Sequence, residues 1–258
     1  MKILFLLYGI GRGLVTSEPS IMSNVILPLI KQGNKAEVIY CFNEIKEINN
    51  PRSEEKGLIE APREGIFKNA KIIFTNPSEL LVEEYFELSK RYKDIHNDNY
   101  LSYRNLVSQL AMLNKLSSYI DLNEAERVVF CRDDLYFPDK ITNWKKILKV
   151  SERFPVVPSR QWHSGVFERF LICNSHVSKD IAQRSKFIPD FLNNFEFLNG
   201  EILLNYVFDK LSIKPASLPL KTFRVRIDKI QKENFLIPFW RPKEMLRIII
   251  SRLRFIFS

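Results

Sequence analysis

The chain has 258 residues, 39 of them lysine or arginine and 30 aspartate or glutamate, which gives a formal net charge of +9. An apolar fraction of 45% with 12% aromatic residues excludes a disordered or fibrous chain and suffices for one large domain. The three cysteines and three histidines show no metal-ligand spacing, so we expect no zinc site, no disulfide framework and a reducing compartment.

The chain begins with a short apolar run, residues 2–8 (KILFLLY), that predicts a buried strand. Glycines at positions 9, 11 and 13 interrupt this run before the core of a signal peptide is complete, and no cleavage site follows. No window reaches the roughly 18 apolar residues of a membrane span. We therefore expect a cytoplasmic protein unless another feature anchors it.

The next predicted element is a helix from about residue 18 to 32, with Ser17 as its cap, Pro19 in its first turn and Gly33 at its end. The polar stretch at residues 43–69 predicts a long loop. The other predicted elements are strands at residues 36–42, 71–75, 127–131 and 167–173 and helices at residues 78–92, 102–120, 175–185 and 199–211. Strands that alternate with helices predict an α/β fold with a mainly parallel sheet.

Two predicted strand ends carry chemically versatile residues, and ligands of open α/β sheets bind beyond the carboxyl ends of the strands. After the first strand, Gly9, Gly11 and Gly13 allow a close backbone approach, and Arg12 can pair with a phosphate. The spacing matches neither the dinucleotide fingerprint nor a phosphate loop. A plain strand-to-helix turn, with Arg12 as a surface residue, is the alternative.

The second strand end is residues 132–137 (RDDLYF), directly after the apolar run at residues 127–131. Two adjacent carboxylates are costly there unless cations lie against them. Paired oxygen ligands suit Mg²⁺ or Mn²⁺, which can bridge a diphosphate, so Asp134 is the first metal candidate and Asp133 the second. Asp133 is alternatively a group that supports the metal ligand or binds donor-sugar hydroxyls. A turn in which both aspartates pair with Arg132 is the non-catalytic alternative.

Six short segments occur in a particular order along the chain. They are residues 8–12 (YGIGR), 104–110 (RNLVSQL), 132–137 (RDDLYF), 165–172 (GVFERFLI), 199–204 (NGEILL) and 223–226 (FRVR). This order resembles that of GT-A-fold glycosyltransferases of bacterial surface-polysaccharide synthesis, of the O-antigen, lipopolysaccharide or capsule type. A strict Asp-x-Asp motif is absent because position 132 is arginine, which puts the number of metal-coordinating carboxylates in doubt.

The resemblance implies a GT-A-like (Rossmann-like) α/β domain with a mixed, mainly parallel sheet flanked by helices. It also implies a nucleotide-sugar donor, with UDP as the nucleotide, and Mn²⁺ or Mg²⁺ as the cofactor. The roles that it implies for individual residues are donor binding by Tyr8, Gly9, Arg12, Arg104 and Asp133, metal binding by Asp134 and Asp133, and catalysis by Glu168 and Glu201.

Three of these assignments have structural alternatives. Glu168 lies in a strand-like segment, so it is either the group that takes a proton from the acceptor or one half of a structural salt bridge. Glu201 falls in the first turn of a predicted helix, where the helix dipole favours a carboxylate regardless of function. Arg104 lies on the polar side of its helix and is otherwise only solvated.

The positive charge is concentrated at the end of the chain, since residues 221–258 contain ten basic and three acidic residues. The nearly neutral remainder argues against a nucleic-acid partner. We therefore divide the chain into a catalytic domain at residues 1–226 and a basic extension at residues 227–258. Residues 241–258 predict an amphipathic helix that binds an anionic membrane surface, with docking on the domain or on a second subunit as the alternative.

Together these features predict a glycosyltransferase that is peripheral on the inner face of the cell membrane and moves a sugar from a nucleotide sugar to a lipid-linked glycan acceptor. The metal ion would offset the diphosphate charge as it leaves. Two alternatives share part of the pattern. One is a non-enzymatic protein that binds membrane or nucleic acid through its basic tail, and the other is a metal-dependent nucleotidyltransferase.

Overall fold

The computed structural model describes residues 1–50, 54–68, 70–76, 83–121, 124–159, 165–227, 229–231 and 242–257. The strands in chain order are β1 (Lys2–Gly9), β2 (Lys35–Asn43), β3 (Glu47–Asn50), β4 (Glu55–Leu58), β5 (Lys71–Thr75), β6 (Arg127–Arg132), β7 (Leu135–Tyr136), β8 (Val156–Pro158), β9 (Phe170–Asn174), β10 (Ala216–Leu218), β11 (Phe223–Val225) and β12 (Ile230–Gln231). The α-helices are α1 (Leu14–Ile21), α2 (Leu27–Lys31), α3 (Glu83–Ser89), α4 (Leu101–Leu116), α5 (Trp144–Val150), α6 (Ser175–Ala182), α7 (Ile188–Leu192), α8 (Gly200–Lys210) and α9 (Pro242–Phe257).

A seven-stranded sheet forms the centre of the described chain, in the order β10-β8-β9-β6-β1-β2-β5. β1 runs parallel to β2 and β6, β2 runs parallel to β5, and β8 runs parallel to β10. β9 is antiparallel to both of its neighbours. β1 is buried from Ile3 to Tyr8, as expected for a strand with helices on both faces of its sheet. The predicted α/β class, with a mixed, mainly parallel sheet flanked by helices, is confirmed.

Two smaller sheets lie beside the central one. β7 pairs antiparallel with β11, and β11 pairs with β12. β3 and β4 pair antiparallel, so the prediction of a long loop at residues 43–69 is wrong for residues 47–50 and 55–58. β3 (EINN) and β4 (EKGL) each contain a single apolar residue, and so lack the alternation of apolar and polar residues on which strand prediction depends.

The first helix begins four residues earlier than predicted. α1 follows Gly13, which has a left-handed φ of 66°, and no side chain caps it. Ser17 is therefore not the cap, and Pro19 lies inside the helix rather than in its first turn. The predicted end is correct, because Gly33 adopts a left-handed φ of 82° just after α2.

Other elements agree with the prediction to within a few residues. α4 continues into a 3₁₀ turn, Ser117–Tyr119, that completes the predicted helix at residues 102–120. The predicted helix at residues 78–92 begins outside the described residues, and α3 is its described part. The strand predicted near residues 167–173 begins at Phe170, so Glu168 precedes the strand instead of lying in it. That shift releases Glu168 from the alternation of strand side chains.

The C-terminal helix is present as predicted, and it docks on the sheet. Ile248, Ser251 and Phe255 of α9 are buried, and the Ser251 and Ser217 hydroxyl groups are 2.7 Å apart, which ties α9 to β10. The opposite side, called here the outer face of α9, is exposed and consists of Leu246, Ile249, Ile250, Leu253, Ile256 and Phe257. No helix in the described part of the chain is long and apolar enough to cross a membrane. The predicted division after residue 226 stays a prediction, since residues 232–241 lie outside the described residues.

Candidate functional site

The carboxyl ends of β1, β2 and β6 lie side by side. Tyr8 on β1 pairs in register with Cys41 on β2 and with Arg132 on β6. The glycine loop that follows β1 and the two aspartates that follow β6 therefore meet at one edge of the sheet. Both strand ends that the sequence singles out contribute to one site.

Asp134 is the centre of this site and is held by arginines. Its Oδ1 accepts a hydrogen bond from Arg132 Nε at 2.9 Å, and its Oδ2 accepts from Arg132 Nη2 at 2.6 Å and from Arg12 Nη2 at 3.1 Å. Arg224 Nη2 lies 3.6 Å from the same oxygen. Burial alone would raise the pKa of Asp134, but the charges of Arg132, Arg12 and Arg224 outweigh burial and hold that pKa well below its usual range. Asp134 is thus a buried carboxylate that stays ionised.

Asp133 faces the glycine loop instead. Its Oδ2 accepts hydrogen bonds from the Gly11 amide at 2.7 Å and from the Tyr40 hydroxyl at 2.8 Å. A Cβ atom at Gly9 would lie 1.8 Å from Asp133 Oδ1, so only glycine leaves room for this carboxylate. Burial raises the pKa of Asp133 to about 7, and the charge of Asp134 adds to the increase. In this arrangement Asp133 fixes the loop that carries Arg12.

The loop also depends on glycine at position 13. Gly13 has a left-handed φ of 66°, and a Cβ atom there would lie 2.2 Å from Val225 Cγ1 on β11. The close packing of the loop on β11 directs Arg12 inward, where it is only 8% exposed. The alternative of Arg12 as a surface residue is therefore wrong.

A fourth arginine and a third carboxylate extend the site. Glu55 on β4 is buried and accepts hydrogen bonds from Arg12 Nη1 at 2.8 Å, from Arg226 Nη1 at 3.0 Å and from the Ile227 amide at 3.2 Å. We call Arg12, Arg132, Arg224 and Arg226 the arginine cluster. The ion pairs among the described residues match four guanidinium groups with two carboxylates, Asp134 and Glu55. Because arginine stays protonated in proteins, the cluster carries an excess of positive charge.

Several buried donors in the cluster have no hydrogen-bond partner among the described residues. They are Nε of Arg12, Nε of Arg224 and Nε2 of Gln109. Gln109 on α4 accepts from Arg132 Nη1 at 3.1 Å through its oxygen, so its amide belongs to the same site. Buried unpaired donors are rare in folded proteins and indicate a ligand, a water or an ion. Here they accompany positive charge, so the site is suited to an anion.

Glu168 lies beside the cluster, in the segment before β9, which pairs with β6. Its Oε2 is 3.5 Å from Arg184 Nη2, and its carbonyl oxygen accepts a hydrogen bond from the Tyr8 hydroxyl at 3.3 Å. A Cβ atom at Gly200 would lie 2.2 Å from Glu168 Oε2, so the carboxylate packs against the first residue of α8. The helix dipole favours a carboxylate at this end of the helix. The salt-bridge alternative holds for Glu168, but its side chain keeps 11% exposure and can still meet a substrate.

The remaining predicted residues occupy different places. The Tyr8 side chain is buried, burial raises its pKa, and its carbonyl oxygen accepts a hydrogen bond from the Asp133 amide at 3.0 Å. Glu201 is the second residue of α8, and its carbonyl oxygen accepts from the Val166 amide at 3.2 Å, which fixes the segment before Glu168. Arg104 is exposed and stacks over the Phe86 ring at 5.5 Å. Tyr8 and Glu201 thus lie next to the site, whereas the described contacts do not bring Arg104 into it.

The carboxylates as placed do not fit a divalent cation. Both oxygens of Asp134 already accept guanidinium hydrogen bonds, and Asp133 is turned toward Gly11 and Tyr40. A cation at the usual 2.0–2.6 Å or so from Asp134 would lie among three guanidinium groups. Within the described ranges, no group of three histidine, cysteine or acidic residues could hold a metal ion. Metal binding by Asp134 and Asp133 stays a prediction that this donor set does not favour.

Sequence reasoning missed Glu55, Tyr40 and Arg184. Glu55 stands in a run of charged residues (54–56, EEK) that gave no sign of burial. Tyr40 reads as one more apolar residue of a strand, and Arg184 as a helix-end arginine. A strand tyrosine whose hydroxyl needs a partner was the one usable signal, because buried tyrosine hydroxyls are normally hydrogen-bonded.

No protein-family model matches this chain, and no curated protein matches it. Among solved structures, the apo form of mouse xyloside xylosyltransferase 1 is similar to it, with a TM-score of 0.47 and 9% sequence identity. The similarity covers 84% of this chain and 85% of that chain.

Proposed function

We propose that the protein is a glycosyltransferase that moves a sugar from a nucleotide diphosphate sugar to an acceptor hydroxyl. The observation that carries the proposal is the arginine cluster, with its unpaired guanidinium donors, at the carboxyl edge of the parallel sheet. In this reaction the bond between the anomeric carbon and the diphosphate oxygen breaks, and the diphosphate leaves with the bonding electrons. Fixed positive charge at that position stabilises the leaving group without reorganisation during the reaction.

A carboxylate next to the cluster has the complementary task. The acceptor hydroxyl loses its proton as its oxygen bonds to the anomeric carbon, and Glu168 is the proposed proton acceptor. Burial alone would lower the pKa of Arg132, but the carboxylates of Asp134 and Glu168 help to raise it, so Glu168 is within electrostatic reach of the cluster. Glu201, in the first turn of α8, is the second candidate.

The finer proposal concerns the donor, the acceptor and the place of action. We propose UDP as the nucleotide and a lipid-linked glycan of cell-surface polysaccharide synthesis as the acceptor. The outer face of α9 supports a membrane-bound acceptor, because six large apolar side chains are exposed there and Arg247 and Arg252 are exposed beside them. The protein would then act at the inner face of the cell membrane, on the surface and not across it.

The test is a product analysis with the full-length protein and a panel of UDP-sugars, with and without a lipid-linked acceptor. Release of UDP together with a glycosylated acceptor is the expected result. Release of sugar 1-phosphate, with UMP joined to the acceptor, would instead identify a nucleotidyltransferase. Nucleotide binding without any turnover would favour a non-enzymatic binding protein. Arg12→Gln should abolish product formation. Arg153→Gln alters an exposed arginine outside the arginine cluster and is the control.

A further inference from the structure

We propose that this site binds the diphosphate of its donor without a divalent cation, and that Arg12, Arg132 and Arg224 supply the positive charge that the sequence motif assigns to Mn²⁺ or Mg²⁺. The inference rests on the proposed function for the identity of the ligand, a nucleoside diphosphate group. It departs from the motif, which predicts metal binding by Asp134 and Asp133.

The first argument is the state of the Asp134 oxygens. Oδ1 and Oδ2 receive the fork of Arg132 at 2.9 and 2.6 Å, and Oδ2 also receives Arg12 at 3.1 Å. The carboxylate is 1% exposed, so its interactions are with the protein and not with solvent. A metal ion would have to replace these charge-assisted hydrogen bonds and remain surrounded by the guanidinium groups that it displaced. Asp134 therefore acts as the anchor that gathers the arginines.

The second argument is the direction of Asp133. Its carboxylate is 2% exposed, and Oδ2 is committed to the Gly11 amide and the Tyr40 hydroxyl. The two aspartates thus accept hydrogen bonds from different sets of partners. In the sequence the two aspartates look like a metal motif. In the structure they have separate roles, because Asp133 holds the glycine loop and Asp134 holds the arginines.

The third argument is the set of donors that are left over. Arg12 is more than nine-tenths buried, yet its Nε has no partner in the described chain, and the same is true of Nε of Arg224 and Nε2 of Gln109. A guanidinium group offers parallel N–H donors whose geometry matches two oxygens of a phosphate. Within the ion pairs of the described residues, four guanidinium groups against two carboxylates also leave uncompensated positive charge. A diphosphate supplies both the missing acceptors and the missing negative charge.

The experiment is calorimetric titration of the full-length protein with UDP, and separately with inorganic pyrophosphate, after removal of divalent cations with EDTA. The same titrations are repeated in millimolar Mn²⁺. We expect the Kd for each ligand to differ by no more than about twofold between the two conditions. A Kd at least about tenfold weaker in EDTA would overturn the inference. Failure of UDP to bind in either condition would count against the proposed function, whereas the pyrophosphate titration tests the arginine site by itself.

Variants separate a guanidinium site from general surface charge. Arg224→Gln should weaken pyrophosphate binding in EDTA by about tenfold or more, and Arg224→Lys, which keeps the charge but loses the fork, should lie between this variant and the parent. Arg153→Gln is the matched control and should bind as the parent does. Unchanged pyrophosphate affinity in both folded Arg224 variants would refute the role of the cluster. Melting temperatures confirm folding, and Arg224→Lys decides the question should Arg224→Gln unfold.

Discussion

The arginine cluster and the outer face of α9 differ in the kind of unfavourable group that each contains. The cluster buries charge, and it is tolerable because Asp134 and Glu55 each contact more than one guanidinium group. The outer face of α9 exposes apolar side chains, while a narrow stripe with Ile248 and Phe255 docks the helix on the sheet. The arginine cluster therefore lacks negative charge, and the outer face of α9 lacks apolar contacts.

Groups that a fold leaves without partners indicate the chemistry of the ligand that would cover them. Isolated exposed apolar residues are common, but a continuous apolar helix face is a feature that a partner or a membrane would cover. Likewise, buried ion pairs are common, but buried arginines with unpaired donors are not. In both regions the informative observation is the group that the fold leaves unsatisfied.

The largest expected effect is on stability, at the anchor of the cluster. Asp134→Asn removes the charge that pairs with Arg12, Arg132 and Arg224, so three guanidinium groups lose their common partner. We expect the free energy of unfolding to fall by about 3–5 kcal/mol, measured by urea denaturation. The exposed Asp139→Asn is the matched control and should change it by less than about 0.5 kcal/mol. Equal stability of both variants would mean that Asp134 does not hold the cluster.

The next effect concerns chemistry rather than folding, and it separates Glu168 from the cluster. Glu168→Gln removes the proposed proton acceptor, so kcat should fall by about 10²–10⁴-fold while the KM for the donor changes little. The exposed Glu152→Gln is the control and should keep the parent kcat. If donor binding in Glu168→Gln fell as much as kcat, the residue would be a structural partner of Arg184 and not a base.

A smaller effect is expected at Glu55 on β4, which accepts hydrogen bonds from Arg12 and Arg226. Glu55→Gln keeps the shape of the side chain but loses the charge that Arg12 and Arg226 share, so UDP should bind more weakly and stability should drop by about 1.5–3 kcal/mol. Glu54→Gln changes the exposed neighbour on the same turn and serves as the control. Tighter UDP binding in Glu55→Gln would show that Glu55 competes with UDP instead of positioning the arginines that bind it.

The smallest effect on the fold is expected on the outer face of α9. Leu246→Glu with Leu253→Glu should leave the melting temperature nearly unchanged, because both side chains are exposed, but should abolish sedimentation with anionic liposomes. Added salt should weaken the binding of the parent protein, since each basic residue near the surface contributes about 1 kcal/mol. Ile30→Glu, an exposed site on α2, is the control for added negative charge. Unchanged sedimentation would remove α9 from the membrane-binding surface.

The sequence predicted the elements whose signals are local. β1 is an unbroken apolar run, α9 has a strong amphipathic period, and the residues at 9–13 and 132–137 stand at strand ends where ligands bind. The docking side of α9 was not predicted, because the stripe that contacts β10 contains Ser251, and its hydroxyl pairs with Ser217 34 positions away. The periodicity of apolar residues along a helix does not reveal a hydrogen bond between two distant serines.

The organisation of the site could not be predicted for the same reason. From the sequence, Asp133 and Asp134 were both metal candidates, with a supporting role for Asp133 and a turn paired with Arg132 as the alternatives. Tyr40 and the Gly11 amide take Asp133, and three arginines from separate segments take Asp134. Which neighbour each carboxylate meets depends on the pairing of β1, β2, β6 and β11, and that pairing is a property of the whole sheet.

The wide spacing of the cluster along the chain has a consequence for biosynthesis. Arg12 and Asp134 are 122 positions apart, and Glu55 and Arg226 are 171 positions apart. A nascent chain on the ribosome can form β1 and β2 early, but Arg12 meets Asp134 only after residue 134 has emerged, and Glu55 meets Arg226 only after residue 226 has emerged. Contacts of such long sequence separation form late and slowly. Under the proposed function, the nucleotide should therefore bind only the fully folded protein, and its cellular concentration should protect folded molecules from proteolysis.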